Sequence, residues 1–274
     1  MREPGRLTNA PFGVDRDGSL ASAVLTAVYA PIVVTELVHL ETRDRVATIT
    51  LDSPSSRNAL SVQLVGELLA HLRTVAADGD AHVVVLGHTG PAFCAGADLK
   101  ARERRAEIPL PDVLGALWEL PKPVVARVGG PARAGGVGLV AACDLAVASP
   151  AATFAFSEVR LGLVPAVISA VCLPRLSHAD ALELFLTGDV FDAERALSAG
   201  LVTTVADDVD GATARVVASL RLGAPRALAA AKRIVRGPID FAELEALSRE
   251  FFAGDDAREG VAAFLEKRPP RWAG

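Results

Sequence analysis

From Glu36 onward, apolar and polar positions alternate. The segments LVHLET and RVATITLD carry a period of two with β-branched residues, and Arg43-Asp44 lies between them like a turn, so this stretch predicts a β-hairpin. The period then changes. Val65, Leu68, Leu69 and Leu72 recur at i, i+3, i+4 and i+7, which predicts an amphipathic helix over 61–77 with Ser61 as its N-cap. Residues 82–87 (HVVVLG), 123–128 (PVVARV) and 144–148 (DLAVA) are short β-branched runs of the kind that forms buried parallel strands. After Ser177, helical patterns at 179–186, 193–199, 210–222, 225–235 and 241–265 are separated by Gly, Pro and Asp, so the last third reads as all-helical. Strands alternating with helices imply an α/β core.

Composition narrows the function classes. The chain has 274 residues, 51% of them hydrophobic, enough for one sizeable core. Lys plus Arg number 28 and Asp plus Glu 33, a formal charge of −5, which lacks the basic surplus of a nucleic-acid-binding surface. The 3 cysteines (Cys94, Cys143, Cys172) and 5 histidines have neither CxxC nor HExxH spacing, so no disulfide framework or metal site is expected. No run of about 18 uncharged apolar residues would span a bilayer. A cytoplasmic location follows as the expectation. Residues 1–20 have no periodicity and 21–34 (ASAVLTAVYAPIVV) are apolar; with Asp15 and Asp17 interrupting the basic residues, 1–34 reads as a loosely ordered extension dispensable for activity rather than a signal peptide.

Two glycine-rich stretches each follow a predicted strand: GPAFCAGADLK from Gly90 and GGPARAGGVGLVAACD from Gly129. Glycine there lets backbone N–H groups approach a ligand, and a helix starting at the same place adds its positive end. Neither stretch reads GxGxxG with a ribose-binding acid, GK[ST] or GxSxG, which disfavours dinucleotide, P-loop and nucleophile-elbow chemistry.

These stretches, followed by ATFAFSEVRLGLVP, AGLV and AAFLEKR, resemble in unbroken order from Thr35 to Arg268 the signatures of the enoyl-CoA hydratase/isomerase, or crotonase, superfamily. The resemblance implies an α/β fold, a crotonase-like spiral of ββα units with a C-terminal helical trimerisation region. Its expected parts are an extension over 1–34, a core with the active site over 35–200, and the helical region over 201–274. It further implies an acyl-CoA substrate, with coenzyme A as part of the substrate and no separate cofactor, and a homotrimer or dimer of trimers without nucleic acid.

Carried over by motif, the oxyanion donors are the backbone N–H groups of Ala97 and Gly135. Glu158 takes the acid/base position. A carboxylate among residues such as Phe154, Phe156, Val159 and Leu161 holds its proton to higher pH through desolvation, which suits proton transfer. In a ligand-free alternative the glycine loops are mere tight turns, and Glu158 is a solvent-facing strand-end glutamate. The resemblance also places Arg57, Asn58, Ala59, Leu60, Ala95, Asp98 and Leu99 on the coenzyme A side, Phe264 along the acyl tunnel, and Lys267 at a neighbouring subunit's coenzyme A phosphate.

One departure bears on the reaction. Two-glutamate hydratases of the family carry a second carboxylate at the position of Gly138, where this chain reads GGVGL. A single glutamate could hold a water and deliver a proton to C2, or shuttle a proton between C2 and C4. PARAGGVGLVAACD and EVRLGLVPAVIS resemble the 3-methylglutaconyl-type hydratase branch, which tolerates glycine there, so enoyl-CoA hydratase is the leading expectation, with Δ3-Δ2-enoyl-CoA isomerase and a non-catalytic acyl-CoA-binding protein as alternatives. Arg133 and Arg160 are candidates for a distal substrate carboxylate. A branched or carboxylated enoyl-CoA should then outrun crotonyl-CoA, and Gly138→Glu should raise crotonyl-CoA hydration if the site has room.

Overall fold

The computed structural model describes residues 35–98, 108–238 and 240–273. The chain divides into units Met1–Thr35 and Glu36–Gly274. Expectations for residues 1–34 and for Leu99 fall outside the described residues.

The hairpin consists of β1 (Val38–Arg43) and β2 (Val46–Leu51), paired antiparallel from Val38↔Leu51 to Arg43↔Val46. Its turn is Asp44-Arg45, one residue later than the alternation suggested. Both residues have positive φ (48° and 65°), as a two-residue hairpin turn requires to match the twist of its strands. Helix α1 (Val62–Ala77) follows, with Ser61 Oγ accepting the amide of Leu64 and Leu64, Val65, Leu68, Leu69, Leu72 and Val75 buried.

The chain continues through β3 (Val83–His88), α2 (Leu110–Glu119), β4 (Val124–Val128), β5 (Ala132–Arg133), α3 (Gly135–Ala142), β6 (Leu145–Ala148) and β7 (Thr153–Ala155). A 3-10 turn at Ser157–Leu161 precedes α4 (Ala166–Cys172), α5 (His178–Thr187), β8 (Phe191–Asp192), α6 (Ala193–Ser198), β9 (Thr204–Val205) and α7 (Val209–Arg221). Helices α8 (Pro225–Arg236), α9 (Phe241–Ala253) and α10 (Asp255–Glu266) follow, before a final 3-10 turn at Arg271–Ala273.

The main sheet runs β1-β2-β3-β4-β6-β9, parallel from β2 onward, and β5-β7-β8 form a small second sheet. The apolar runs of β3 and β4 reflect burial on both faces. Val84, Leu86 and Val124 belong to the large core containing α1 to α4, whereas Val83, Val85 and Val125 pack with Val209, Ala212 and Val217 of α7. The architecture is mixed α/β, as the sequence pattern implied.

Two features differ from the sequence reading. The last third is not all-helical: β9 adds an edge to the main sheet and β8 pairs with β7. Two-residue strands carry no period, and their partners lie far away in sequence. The pattern over 241–265 is two helices rather than one, broken at Gly254, whose amide caps Phe251 before the chain turns extended.

Candidate active site

Strands β3 and β4 each deliver a glycine-containing loop to the same end of the sheet. The first is held edge-on to its surroundings. Leu60 N donates to Gly96 O (2.8 Å), Asp98 N to Leu60 O (3.5 Å), and Ala95 N to Arg57 O (2.9 Å). Leu60 and Ala97 thus form a parallel bridge in which the residues flanking Ala97 make the bonds. The Ala97 N–H itself points the other way. Gly96 has φ +85°, and a Cβ there would lie 2.9 Å from Arg133 O and 3.1 Å from the Ala134 Cβ, so only glycine fits between the two loops.

The second loop reaches α3 through Ala134, whose φ of 49° and ψ of −118° are rarely adopted by a residue with a Cβ. Its amide is held by Ala155 O (3.0 Å), and its carbonyl accepts from Val137 and Gly138. The twist turns the following peptide so that Gly135 begins the helix with its N–H outside the intrahelical ladder. Among the described residues, no backbone or side-chain acceptor takes the Ala97 or Gly135 amide.

Both amides border one cavity of about 350 Å³. Its walls are Leu60 and Ala95, then Ile108, Leu110 and Pro111 around the start of α2, with Leu161 at the end of the 3-10 turn and Leu163 through Ile168 beyond it. Glu158 enters from that turn, 6% exposed, and is the sole ionisable side chain lining the cavity among the described residues. Its backbone is braced from both sides: Leu163 N donates to Glu158 O (2.9 Å), and the Phe156 ring, two residues back, packs on Phe185 at 4.3 Å. Two oriented amides and one buried carboxylate can stabilise a developing oxyanion and move a proton beside it. A larger groove of about 660 Å³ between α2 and α8–α9 contains neither glycine loop. The buried thiols are no nucleophiles: burial pushes Cys94 and Cys143 up to about 12 and Cys172 upward as well, with the nearby Glu158 adding to that shift.

The family profile described as Enoyl-CoA hydratase/isomerase matches residues 41–274. The chain belongs to the enoyl-CoA hydratase/isomerase family. The enoyl-CoA hydratase domain-containing protein 3, mitochondrial, of Danio rerio is 32% identical over 85% of this chain and 86% of its own. A crystal structure of enoyl-CoA hydratase from Mycobacterium smegmatis superposes with a TM-score of 0.81 at 34% identity, covering 88% of this chain and 100% of that one. An enoyl-CoA hydratase from Mycobacterium avium shows 43% identity and a TM-score of 0.68 over 87% and 100%.

Of the residues that this family resemblance singles out, Glu158, Ala97, Gly135, Leu60 and Ala95 meet at the cavity. Others do not. Asn58 is fully buried and is corrected to a structural bracket: its Oδ1 accepts from Ser53 N (2.7 Å), and its Nδ2 donates to Thr89 O (3.1 Å) and Ala92 O (2.9 Å), tying the first loop to the end of β3. Arg57 caps the turn Pro54–Ser56 and offers its carbonyl to Ala95, Ala59 N reaches Ser56 Oγ (3.3 Å), and Asp98 lies just past the lining. Phe264 and Lys267, on and after α10, are exposed and outside this cavity.

Gly138 is also corrected. It lies buried inside α3, away from the cavity surface, and a Cβ placed on it would come within 2.5 Å of Ile168 Cγ2. Ile168 therefore occupies the space that a second carboxylate would need. The arginines are committed elsewhere: Arg133 to Thr153 O (2.6 Å) and Thr153 Oγ1 (2.8 Å), Arg160 to Thr187 O (3.0 Å) and Asp189. No described cation faces the cavity to meet a distal substrate carboxylate. Ala134 and Ile168 escaped the sequence reading. An alanine in a left-handed conformation has no signal, and AVISAVC reads as ordinary core helix.

Proposed function

We propose that this chain is an enoyl-CoA hydratase in which Glu158 is the sole acid/base and the amides of Ala97 and Gly135 form the oxyanion hole. The observation that carries the reading is the meeting of one buried carboxylate and two unclaimed amides in a single apolar cavity. With the thioester oxygen between the amides, a water held by Glu158 adds its oxygen to C3 while its proton passes to the carboxylate. Electron density moves onto the thioester oxygen as an enolate, which each amide stabilises by roughly 3–4 kcal/mol. Glu158 then returns the proton to C2, so one water is consumed and the carboxylate is regenerated. The lining favours an uncharged acyl chain, with coenzyme A as part of the substrate.

A second reading, Δ3-Δ2 isomerisation, is favoured by Ile168 filling the second-carboxylate position: a single Glu158 that takes a proton from C4 and delivers it to C2 needs no positioned water. A panel of 2-enoyl- and 3-enoyl-CoA thioesters in ¹⁸O-labelled water tests both. Hydration removes the conjugated-thioester absorbance of 2-enoyl substrates and incorporates ¹⁸O at C3. Isomerisation raises that absorbance from 3-enoyl substrates without ¹⁸O. Binding with neither change would reject both readings in favour of an acyl-CoA-binding protein.

The same reading includes association in the cytoplasm as a trimer or dimer of trimers. Phe252, Val261, Phe264 and Leu265 expose an apolar surface on α9 and α10 that a second copy would cover, bringing Phe264 and Lys267 towards a neighbour's substrate. Light scattering should return a trimer or hexamer mass; a monomer would remove both residues from the site. No helix among the described residues is long and apolar enough to cross a membrane.

A further inference from the structure

Helices α2 and α3 both start at the cavity and end at one buried cluster of cations. At their first turns, Leu110 and Gly135 line the cavity, and Leu110 Cδ2 lies 3.2 Å from where a Cβ of Gly135 would be. At their far ends the orphan carbonyls are taken by side chains. Lys232 Nζ donates to Leu117 O (3.2 Å) and Arg236 Nη1 to Trp118 O at the end of α2. Arg175 Nε donates to Ala141 O (2.7 Å), Arg175 Nη2 to Cys143 O, and Arg236 Nη2 to Ala142 O (3.1 Å) at the end of α3. Asp144 binds the set together, accepting from Lys232 (2.9 Å), from Arg236 (2.8 Å) and from the amide of Val124 (2.7 Å), while the Arg236 guanidinium stacks 3.8 Å over the Trp118 ring.

Three cations against one carboxylate is an expensive arrangement to bury, since each charge loses its hydration. Lys232 is 9% and Arg236 12% exposed at the side chain. A single helix end needs no such set. The cluster ties the ends of two helices to one another, and α3 is only 8 residues, about 12 Å, long, so a displacement at one end would carry to the other. The α3 end that matters chemically carries the Gly135 amide, and the N-terminal, positive ends of both helices lie at the cavity. Of the three cations, Arg236 alone bonds to both helix ends.

From this geometry we infer that Arg236, aided by Lys232 and Arg175, is a positioning residue for the oxyanion hole: it fixes the depth of α2 and α3 and thereby where the Gly135 amide meets the thioester oxygen. The inference rests on the proposed function only in using that amide.

The test uses full-length protein and butyryl-CoA carrying a ¹³C-labelled thioester carbonyl, a saturated compound that is not turned over. In the wild type, infrared difference spectra should show the bound carbonyl stretch displaced to lower frequency than in solution. Arg236→Ala should lose at least half of that displacement and lower kcat on the best enoyl-CoA tenfold or more, with the Kd for butyryl-CoA changed less than threefold. Arg236→Lys should restore part of both. Should Arg236→Ala fail to fold, Arg236→Lys and Lys232→Gln are read in the same way, each predicted to give an intermediate displacement. A folded variant with kcat within twofold of wild type, or with lower kcat but an unchanged carbonyl stretch, overturns the inference and leaves the proposed function standing. A wild type that binds butyryl-CoA without displacing the carbonyl stretch overturns the proposed oxyanion hole, and this inference with it.

Discussion

Glu158→Gln is expected to reduce turnover of the best enoyl-CoA substrate by roughly 10²- to 10⁴-fold, the range in which a positioned general acid/base contributes. Glutamine keeps the shape of the buried side chain and its place on the turn Ser157–Leu161, but cannot accept and return a proton. Affinity for a saturated acyl-CoA should stay within a few-fold of wild type, because the Ala97 and Gly135 amides and the apolar walls remain. Steady-state kinetics with parallel calorimetric binding separates the two effects. Activity within tenfold of wild type would remove Glu158 from the chemistry. A loss of binding equal to the loss of turnover would give it a role in holding substrate instead.

The second large effect is expected at Gly138, and its direction is opposite to what the family comparison of motifs alone suggests. Gly138→Glu should not improve hydration of crotonyl-CoA; it should destabilise the protein by about 3 kcal/mol or more, combining the overpacking of a dense core with burial of a carboxylate. The first added carbon already meets Ile168 Cγ2 at 2.5 Å and Ile168 Cβ at 3.1 Å, and Leu114 Cδ1 stands at 3.6 Å behind them. For a chain of this size, the corresponding fall in Tm is roughly 6–12 °C. Ile168→Ala in the same chain should recover part of the loss, since the two positions share one space, and the non-additivity of the pair measures that contact. A Gly138→Glu protein with unchanged Tm and faster hydration would show that α4 moves aside.

Much of the framework is legible locally. The Ser61 cap, the stripe from Leu64 to Val75 and the β-branched runs of β3, β4 and β6 follow from periods of 3.6 and 2 that any short window of sequence displays. The candidate site motifs are legible for a different reason: AFCAGADLK, ARAGGVGLVAACD and FAFSEVRLGLVP are contiguous stretches, so the residue types at Ala97, Gly135 and Glu158 are each written among their own motif neighbours. Asn58 shows where that reading stops. Its motif neighbourhood placed it beside coenzyme A, whereas its side-chain amide bonds to Ser53, Thr89 and Ala92, two of them more than 30 residues away.

The sequence by itself determined the α/β class, most element positions, the membership suggested by its ordered motifs and the three groups of the candidate site. Only the tertiary structure decided that Ile168 fills the space over Gly138, that Arg133 and Arg160 are occupied away from the cavity, and that α2 and α3 share one cationic cap. Patterns of period 2 and 3.6 record which way a side chain faces relative to its own backbone. They hold no record of which atom from another part of the chain arrives opposite it, and at Gly138 that arrival, a methyl group 30 residues further on, decides what chemistry the helix can carry.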